Sequence, residues 1–119
     1  MEQAGLPTLP ALVEAGRALE DIGLKEEVDL VISGGIRDYA DIAKALALGA
    51  DAVAMATPIL VAMGCRVCGL CNTGKCPRGI ATQDSKLRSR LKVDDAADRV
   101  ENFLKAVYRG VRNVSSANR

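Results

Sequence analysis

Histidine and tryptophan are absent from the 119 residues, and only one phenylalanine and two tyrosines occur. Histidine is the commonest general base and metal ligand, so chemistry here must rest on thiolates, carboxylates, backbone amides or a cofactor. Long apolar runs are lacking too. The longest covers residues 52–64, is interrupted by Thr57 and Pro58, and falls short of the roughly 20 residues that cross a bilayer. The sequence therefore predicts no membrane partner.

An excess of one charge is also lacking, since 16 basic and 15 acidic residues give a net charge of +1. This balance predicts no nucleic-acid partner. Residues 1–7 have neither a basic start nor a long apolar segment, so no secretory signal is predicted and the cytoplasm is the expected location. With 49% apolar residues, the chain is long enough for one modest domain with a core.

Hydrophobic patterning in the first half predicts alternating helices and strands. Thr8 is expected to cap the first helix, and residues 28–33 should form a buried strand. Asp38 is expected to cap a second helix that stops at Gly49, and residues 52–56 should form the next strand. Short links of this kind predict two parallel strands in one α/β sheet. Two strands cannot bury both faces of a sheet, so further strands from the same or another chain are expected.

Helical turns are predicted again in the second half. One begins at Thr57 and is broken by Gly64, a short basic amphipathic piece covers residues 86–91, and Asp94 is expected to cap a last helix. The polar tail from Asn113 is expected to fray.

A phosphate site is predicted where the two strands end. Glycines at a strand-to-helix corner let the backbone approach an anion, and the helix start offers free N–H groups. In β/α barrels the loops after the last two strands commonly share one phosphate. A tight turn without a ligand is the alternative for the glycine pair, and Arg37 either adds charge to the site or faces solvent. The predicted residues are Ser33, Gly34, Gly35, Arg37, Ala56 and Thr57.

Four cysteines give the pattern CxxCxxCxxxxCP within one glycine-rich loop: Cys65, Cys68, Cys71 and Cys76. Successive thiols separated by two residues suit a compact iron–sulfur cluster better than zinc, which prefers two separated pairs. Disulfide-bonded or purely structural cysteines are a weaker alternative for a cytosolic chain. Bacterial ferredoxins use a related run with one residue fewer before the last cysteine, so an electron carrier is a competing interpretation.

The segments SGGIRDYADIAKALALGADAVAMAT and GCRVCGLCNTGKCPRGIATQD together resemble the FMN-binding synthase domain of glutamate synthases, especially the short archaeal and bacterial type. The resemblance covers nearly the whole chain. It implies a TIM-type (β/α)8 barrel whose last two strands lie in residues 1–63. A cluster loop (64–82), a C-terminal helical segment (83–112) and a polar tail (113–119) would follow.

The resemblance also implies the cofactors. The FMN phosphate would lie on Gly34, Gly35 and Arg37 on one side and Ala56 and Thr57 on the other, although the family usually has glycine where Ala56 stands. Three cysteines, Cys65, Cys71 and Cys76, reproduce the family's spacing for a 3Fe-4S cluster. Cys68 is additional, and a fourth thiolate would permit a 4Fe-4S cluster.

By the same resemblance, the full enzyme is an oxidoreductase that reduces the imine of 2-oxoglutarate and ammonia to L-glutamate. An NAD(P)H-dependent reductase or a ferredoxin would supply electrons, and a glutamine amidotransferase would supply ammonia. No catalytic side chain is predicted in this chain, and the chain by itself is expected to be inactive.

Two other interpretations remain open from the sequence. The GGIR corner is also similar to the phosphate-binding half of IMP dehydrogenases and GMP reductases, but their nucleophilic cysteine lies in an earlier loop. The chain could instead be an iron–sulfur electron-transfer or assembly subunit that completes a split barrel.

Overall fold

The structure of the chain is a computed structural model that describes residues 5–117. Its residues group into two compact units, Met1–Met55 with Val107–Arg119, and Ala56–Ala106. Two predictions fall partly outside the described residues. The segment 1–7, for which no secretory signal was predicted, is described from residue 5 onwards, and the predicted tail is described as far as residue 117.

The first unit is an α/β arrangement of two helices and two strands, to which the end of the last helix belongs. These elements are α1 (Thr8–Asp21), β1 (Val31–Ser33), α2 (Tyr39–Ala47) and β2 (Ala52–Ala54). The two strands pair in parallel, with Val31 opposite Ala52 and Ser33 opposite Ala54. The predicted parallel pair is therefore confirmed.

Both strands are shorter than predicted, and only Ile32 of β1 is buried. Asp51 contacts the residue before β1 twice. Its Oδ2 accepts the Leu30 N–H at 2.7 Å, and its backbone N–H donates to Leu30 O at 2.9 Å. The small core of this unit comprises Leu12, Ile32, Ile36, Ala45 and Ala50. The strand predicted over 28–33 is confirmed over residues 31–33, but its predicted burial holds for Ile32 alone, because two strands leave most of their side chains without a covering layer.

The predicted helix caps have different outcomes. Asp38 is confirmed as the N-cap of α2, since its Oδ1 accepts the N–H groups of Ala40 at 2.9 Å and Asp41 at 3.1 Å. Thr8 was expected to cap α1, but Pro7 occupies that position and no side-chain cap forms. The Thr8 hydroxyl instead donates to Gly34 O at 2.8 Å.

The second unit consists of short helices and turns followed by the start of a long helix. It contains α3 (Thr57–Met63), a 3-10 turn (Cys71–Thr73) and α4 (Ser85–Arg88), and the last helix, α5, spans Val93–Ala117. Asp94 was expected to cap this helix, but it lies inside the first turn. The tail expected to fray from residue 113 is helical as far as Ala117, where the Ser116 hydroxyl bonds Arg112 O at 2.9 Å. None of the helices in the described part of the chain combines the length and apolar character needed to span a membrane.

Candidate functional site

The glycine corner after β1 is shaped by two residues in the left-handed region. Gly34 has φ +107° and Gly35 has φ +71°, conformations that residues with a Cβ rarely adopt. Thr8 holds this corner through the bond to Gly34 O, and a methyl group at Gly34 would lie 3.4 Å from its hydroxyl oxygen. Thr8 carries no signal of this role in the sequence, because a threonine before a helix is usually a cap. The predicted Ser33 ends β1 beside this corner.

Arg37 forms a fork with Asp41. The Arg37 backbone N–H and Nε donate to Asp41 Oδ2 at 3.1 and 3.0 Å, and Nη2 donates to Oδ1 at 3.5 Å. The side-chain bond from Arg37 lowers the pKa of Asp41, and the same bond raises the pKa of Arg37. Arg37 is 79% exposed. Its charge therefore faces solvent while it is partly balanced by a buried carboxylate.

The second predicted corner opens α3 in the other unit. Ala56 is the N-cap residue of α3, makes no side-chain cap bond and has φ −119°, while Thr57 is the first helical residue. Pro58 follows in the first turn, where its missing N–H costs no helix bond. Ala56 and Thr57 therefore lie at a helix start, and their binding of a phosphate stays a prediction.

The cysteine loop begins at a well-formed helix end. Gly64 ends α3 in the left-handed region at φ +114°, as predicted. The Gly64 N–H donates to Val61 O at 2.9 Å and the Cys65 N–H donates to Leu60 O at 2.8 Å. These two bonds form a Schellman motif, which fixes the backbone at the first cysteine.

The backbone beside Cys65 also turns towards its sulfur. The Val67 N–H donates to Cys65 Sγ at 3.3 Å. Val67 has φ +52°, the one non-glycine residue with positive φ among the residues described. A β-branched residue in this region is strained.

Cys76, the last thiol of the loop, is buried at 5% exposure. Backbone N–H donors lower the pKa of its thiol, against the opposing effect of burial. In order of their effect, the donors belong to Ala81, Arg78, Ile80 and Gly79. Such a nest of amides favours the thiolate, which is the form that binds metal.

Cys68 and Cys71 are exposed, and Cys65 is half-buried; all four thiols are free. Within residues 5–117 no three cysteine or acidic side chains are gathered as ligands of one metal ion. By its chemistry, however, the donor set suits an iron–sulfur cluster. Four thiols lie on one loop, the Val67 N–H donates to the first sulfur, and backbone N–H groups lower the pKa of the last thiol.

Comparison with known proteins decides the family. A sequence profile described as a conserved region in glutamate synthase matches residues 1–119. The chain belongs to the glutamate synthase family. It is 44% identical over 116 residues to the archaeal glutamate synthase (NADPH) of Methanocaldococcus jannaschii, with 98% of this chain and 23% of that protein covered. It is 45% identical to the enzyme of the same name from Archaeoglobus fulgidus, with 88% and 20% covered.

A bacterial relative supports the same family. The glutamate synthase large subunit-like protein of Rhizobium meliloti is 41% identical, with 98% of this chain and 30% of that protein covered. These matches confirm the resemblance to glutamate synthases that the motifs indicated. The family is therefore that of the glutamate synthases and not that of the IMP dehydrogenases. The chain spans about a fifth to a third of the length of these relatives.

Charge is strongly segregated around the cysteine loop of this glutamate synthase family member. Residues 64–92 contain seven basic residues and one acidic residue, a net charge of +6, whereas the other residues together carry −5. All seven cations are exposed. The one carboxylate, Asp84, caps α4 by accepting the Lys86 and Leu87 N–H groups. Near neutrality of the whole chain conceals this basic segment.

Proposed function

We propose that this chain is the cofactor-holding part of a glutamate synthase, in which the loop from Cys65 to Cys76 binds an iron–sulfur cluster and the corners after β1 and β2 bind the phosphate of FMN. The full enzyme would reduce the imine formed from 2-oxoglutarate and ammonia to L-glutamate. When bound, FMN supplies hydride chemistry and the cluster supplies one-electron transfer. The part of this chain is to bind and orient both groups.

The N–H groups directed at the loop's sulfurs carry this proposal. Cys76 is buried among N–H donors that lower its pKa, and Cys65 accepts the Val67 N–H. Hydrogen bonds to sulfur are among the means by which proteins tune cluster potential. A loop that only connects two helices has no need of donors directed at its thiols.

The glycine corner supports the flavin part of the proposal. Gly34 and Gly35 take conformations that bring backbone close to a ligand. The bond from Thr8 keeps that corner in place. The Arg37–Asp41 fork leaves the guanidinium exposed, so it can add positive charge beside a phosphate.

The positive charge of the basic segment, residues 64–92, indicates what kind of electron donor would bind there. Its net charge of +6 favours a donor with an acidic surface, since opposite charges steer association. An NADPH-dependent reductase or a ferredoxin would fill this role, with ammonia supplied by a glutamine amidotransferase. Electron transfer to the cluster should then slow as the ionic strength rises from about 50 to 200 mM, because salt screens exposed charges.

Anaerobic reconstitution tests the cluster. The protein is incubated with iron and sulfide, freed of excess reagent, and analysed for iron, zinc and acid-labile sulfide. We expect iron and sulfide in comparable amounts. Zinc bound without sulfide would contradict the proposal.

Serine variants at Cys68 and Cys71 form a matched pair, because both thiols are exposed and lie three residues apart. Cys71→Ser should abolish the cluster, since it removes a thiol of the three-cysteine spacing. Cys68→Ser should change a 4Fe-4S cluster into a 3Fe-4S cluster, which low-temperature electron paramagnetic resonance distinguishes. Identical spectra and iron contents of the two variants would count against a special position of Cys68.

A further inference from the structure

Two arginines complete the helix end from which the cysteine loop starts. Helix termini leave four carbonyl groups without partners inside the helix. At the end of α3 the Schellman motif uses the carbonyls of Leu60 and Val61. The next carbonyls, of Ala62 and Met63, accept from Arg99 Nε at 3.1 Å and Nη2 at 3.0 Å. Every carbonyl of this last turn thus has a partner.

The carbonyl of Gly64, the next residue, connects the two ends of the cysteine loop. Arg78 Nε donates to Gly64 O at 3.0 Å, which ties the residue before Cys65 to the second residue after Cys76. The chain turns directly after the last cysteine, where the Gly79 N–H donates to Cys76 O at 3.2 Å. Arg78 lies within this turn, so its side-chain bond joins the end of the loop to the residue before Cys65.

Both guanidinium groups also lie close to Gly64. A methyl group placed there would lie 3.2 Å from Arg78 Nη2 and 3.6 Å from Arg99 Nη2. Both groups are positively charged, and in the described structure neither forms a salt bridge with a carboxylate. The negative end of the α3 dipole and the carbonyls are what attract both of them.

We infer that Arg78 and Arg99 are positioning residues that fasten the ends of the cysteine loop, so that Cys65 and Cys76 are held in place before a cluster binds. This inference rests on the proposed function of the loop. The inference goes beyond that function because it assigns the positioning of the loop to two side chains that are not cluster ligands. Cys68 and Cys71, which lie between the fastened ends and are exposed, would be ordered by the cluster itself.

Thiol alkylation of the metal-free, reduced chain tests the positioning role without any cofactor. Each cysteine is followed by mass spectrometry under native conditions, and Cys68 and Cys71 serve as references inside the same molecule. In Arg78→Ala we expect alkylation of both Cys65 and Cys76 to become about fivefold faster, the effect of losing one solvent-exposed hydrogen bond on a local opening equilibrium. In Arg99→Ala the increase should be largest at Cys65.

Arg88→Ala is the matched control, because it removes the same charge from an exposed arginine of the same basic segment. Its four alkylation rates should equal those of the parent chain. If Arg78→Ala exposes Cys65 alone, the arginine is only a helix cap and the inference is overturned. Unchanged rates at Cys65 and Cys76 in both variants would overturn it as well.

A conservative variant guards against simple misfolding. Arg78→Lys keeps the charge and one donor but lacks the planar fork, so its increase at Cys76 should be smaller than that of Arg78→Ala. An equal increase in the two would contradict a hydrogen-bonded tie.

Reconstitution separates the inference from the proposed function. Iron and sulfide uptake should be about fivefold slower in Arg78→Ala than in Arg88→Ala, because the free loop must be ordered as the cluster binds. A parent chain that takes up no iron and sulfide would refute the proposed cluster, while the alkylation rates would still decide whether the arginines hold the loop. Equal uptake rates in the two variants would overturn the inference.

Discussion

Gly79 follows the last cysteine closely and is a position where a single added methyl group would meet backbone atoms. Its φ is +76°, and it is buried. An added Cβ would overlap the carbonyl oxygen of Leu87 and lie 3.2 Å from Arg88 O and from Leu91 N. These are backbone atoms at the end of α4, so they cannot rotate away as a flexible side chain would.

Gly74 provides the comparison that isolates this overlap. It has nearly the same backbone conformation, φ +69°, but a Cβ there would meet nothing within 4 Å. Alanine at either position has the left-handed conformation to overcome, at about 1 kcal/mol. Overpacking against backbone adds roughly 1–3 kcal/mol at Gly79 alone. We therefore expect losses of about 1 kcal/mol for Gly74→Ala and about 2–4 kcal/mol for Gly79→Ala.

Urea unfolding of the metal-free chain, followed by far-ultraviolet circular dichroism, measures both free energies of unfolding. At roughly 4 °C per kcal/mol, thermal unfolding should separate the two variants by about 4–12 °C. Gly79→Ala should also take up less iron during reconstitution, because the overlap displaces the turn in which the Gly79 N–H donates to Cys76 O at 3.2 Å. Equal destabilisation by the two alanines would show that the close packing at Gly79 does not limit stability.

Three further predictions concern the first unit. Asp38→Ala should lower the free energy of unfolding by about 1 kcal/mol, since it removes the cap of α2. The pKa of Asp41 is lowered in the folded chain. Its ion pair with Arg37 therefore stabilises the fold fully above the unfolded pKa of about 3.9, and this contribution is lost as the pH falls through the lowered pKa. In urea titrations below about pH 4, the free energy of unfolding should accordingly decrease less steeply for Asp41→Asn than for the parent chain. Thr8→Val should cost about 1 kcal/mol in the same assay, because the bond to Gly34 O disappears.

Controls for these variants lie nearby. Asp29→Ala removes a carboxylate from an exposed position outside the helices and strands, and should leave stability within about 0.5 kcal/mol of the parent. Thr57→Val makes the same chemical change as Thr8→Val at a residue that starts another helix. An effect of Asp29→Ala as large as that of Asp38→Ala would contradict the cap, and an unchanged acid limb in Asp41→Asn would contradict the ion pair.

Local signals in the sequence predicted local structure well. The Asp38 cap, the stop at Gly64 and the parallel strand pair all depend on a few adjacent residues, and the structure confirms them. The errors come from partners distant in sequence. Thr8 bonds a carbonyl 26 residues away, and this competing bond cannot be recognised from a capping pattern.

In the candidate site, too, features set by adjacent residues were predicted and contacts between distant residues were not. Cysteine spacing pointed to one loop and to its chemistry, but not to the side chains that hold it. Arg99 reaches Met63 across 36 residues, and Arg78 bonds a carbonyl 14 residues earlier. An arginine in a polar segment carries no sequence signal that distinguishes a structural role from simple solvation.

The unusual backbone of Val67 limits what the loop can do once its ends are released. A valine at φ +52° lies above its relaxed energy by about 1–3 kcal/mol, and the neighbouring chain must hold it there. If Gly64 and Cys65 were set free, Val67 would relax first into an extended conformation and withdraw its N–H from the sulfur of Cys65. The strained conformation of Val67 is therefore maintained by the end of α3, from which the loop starts.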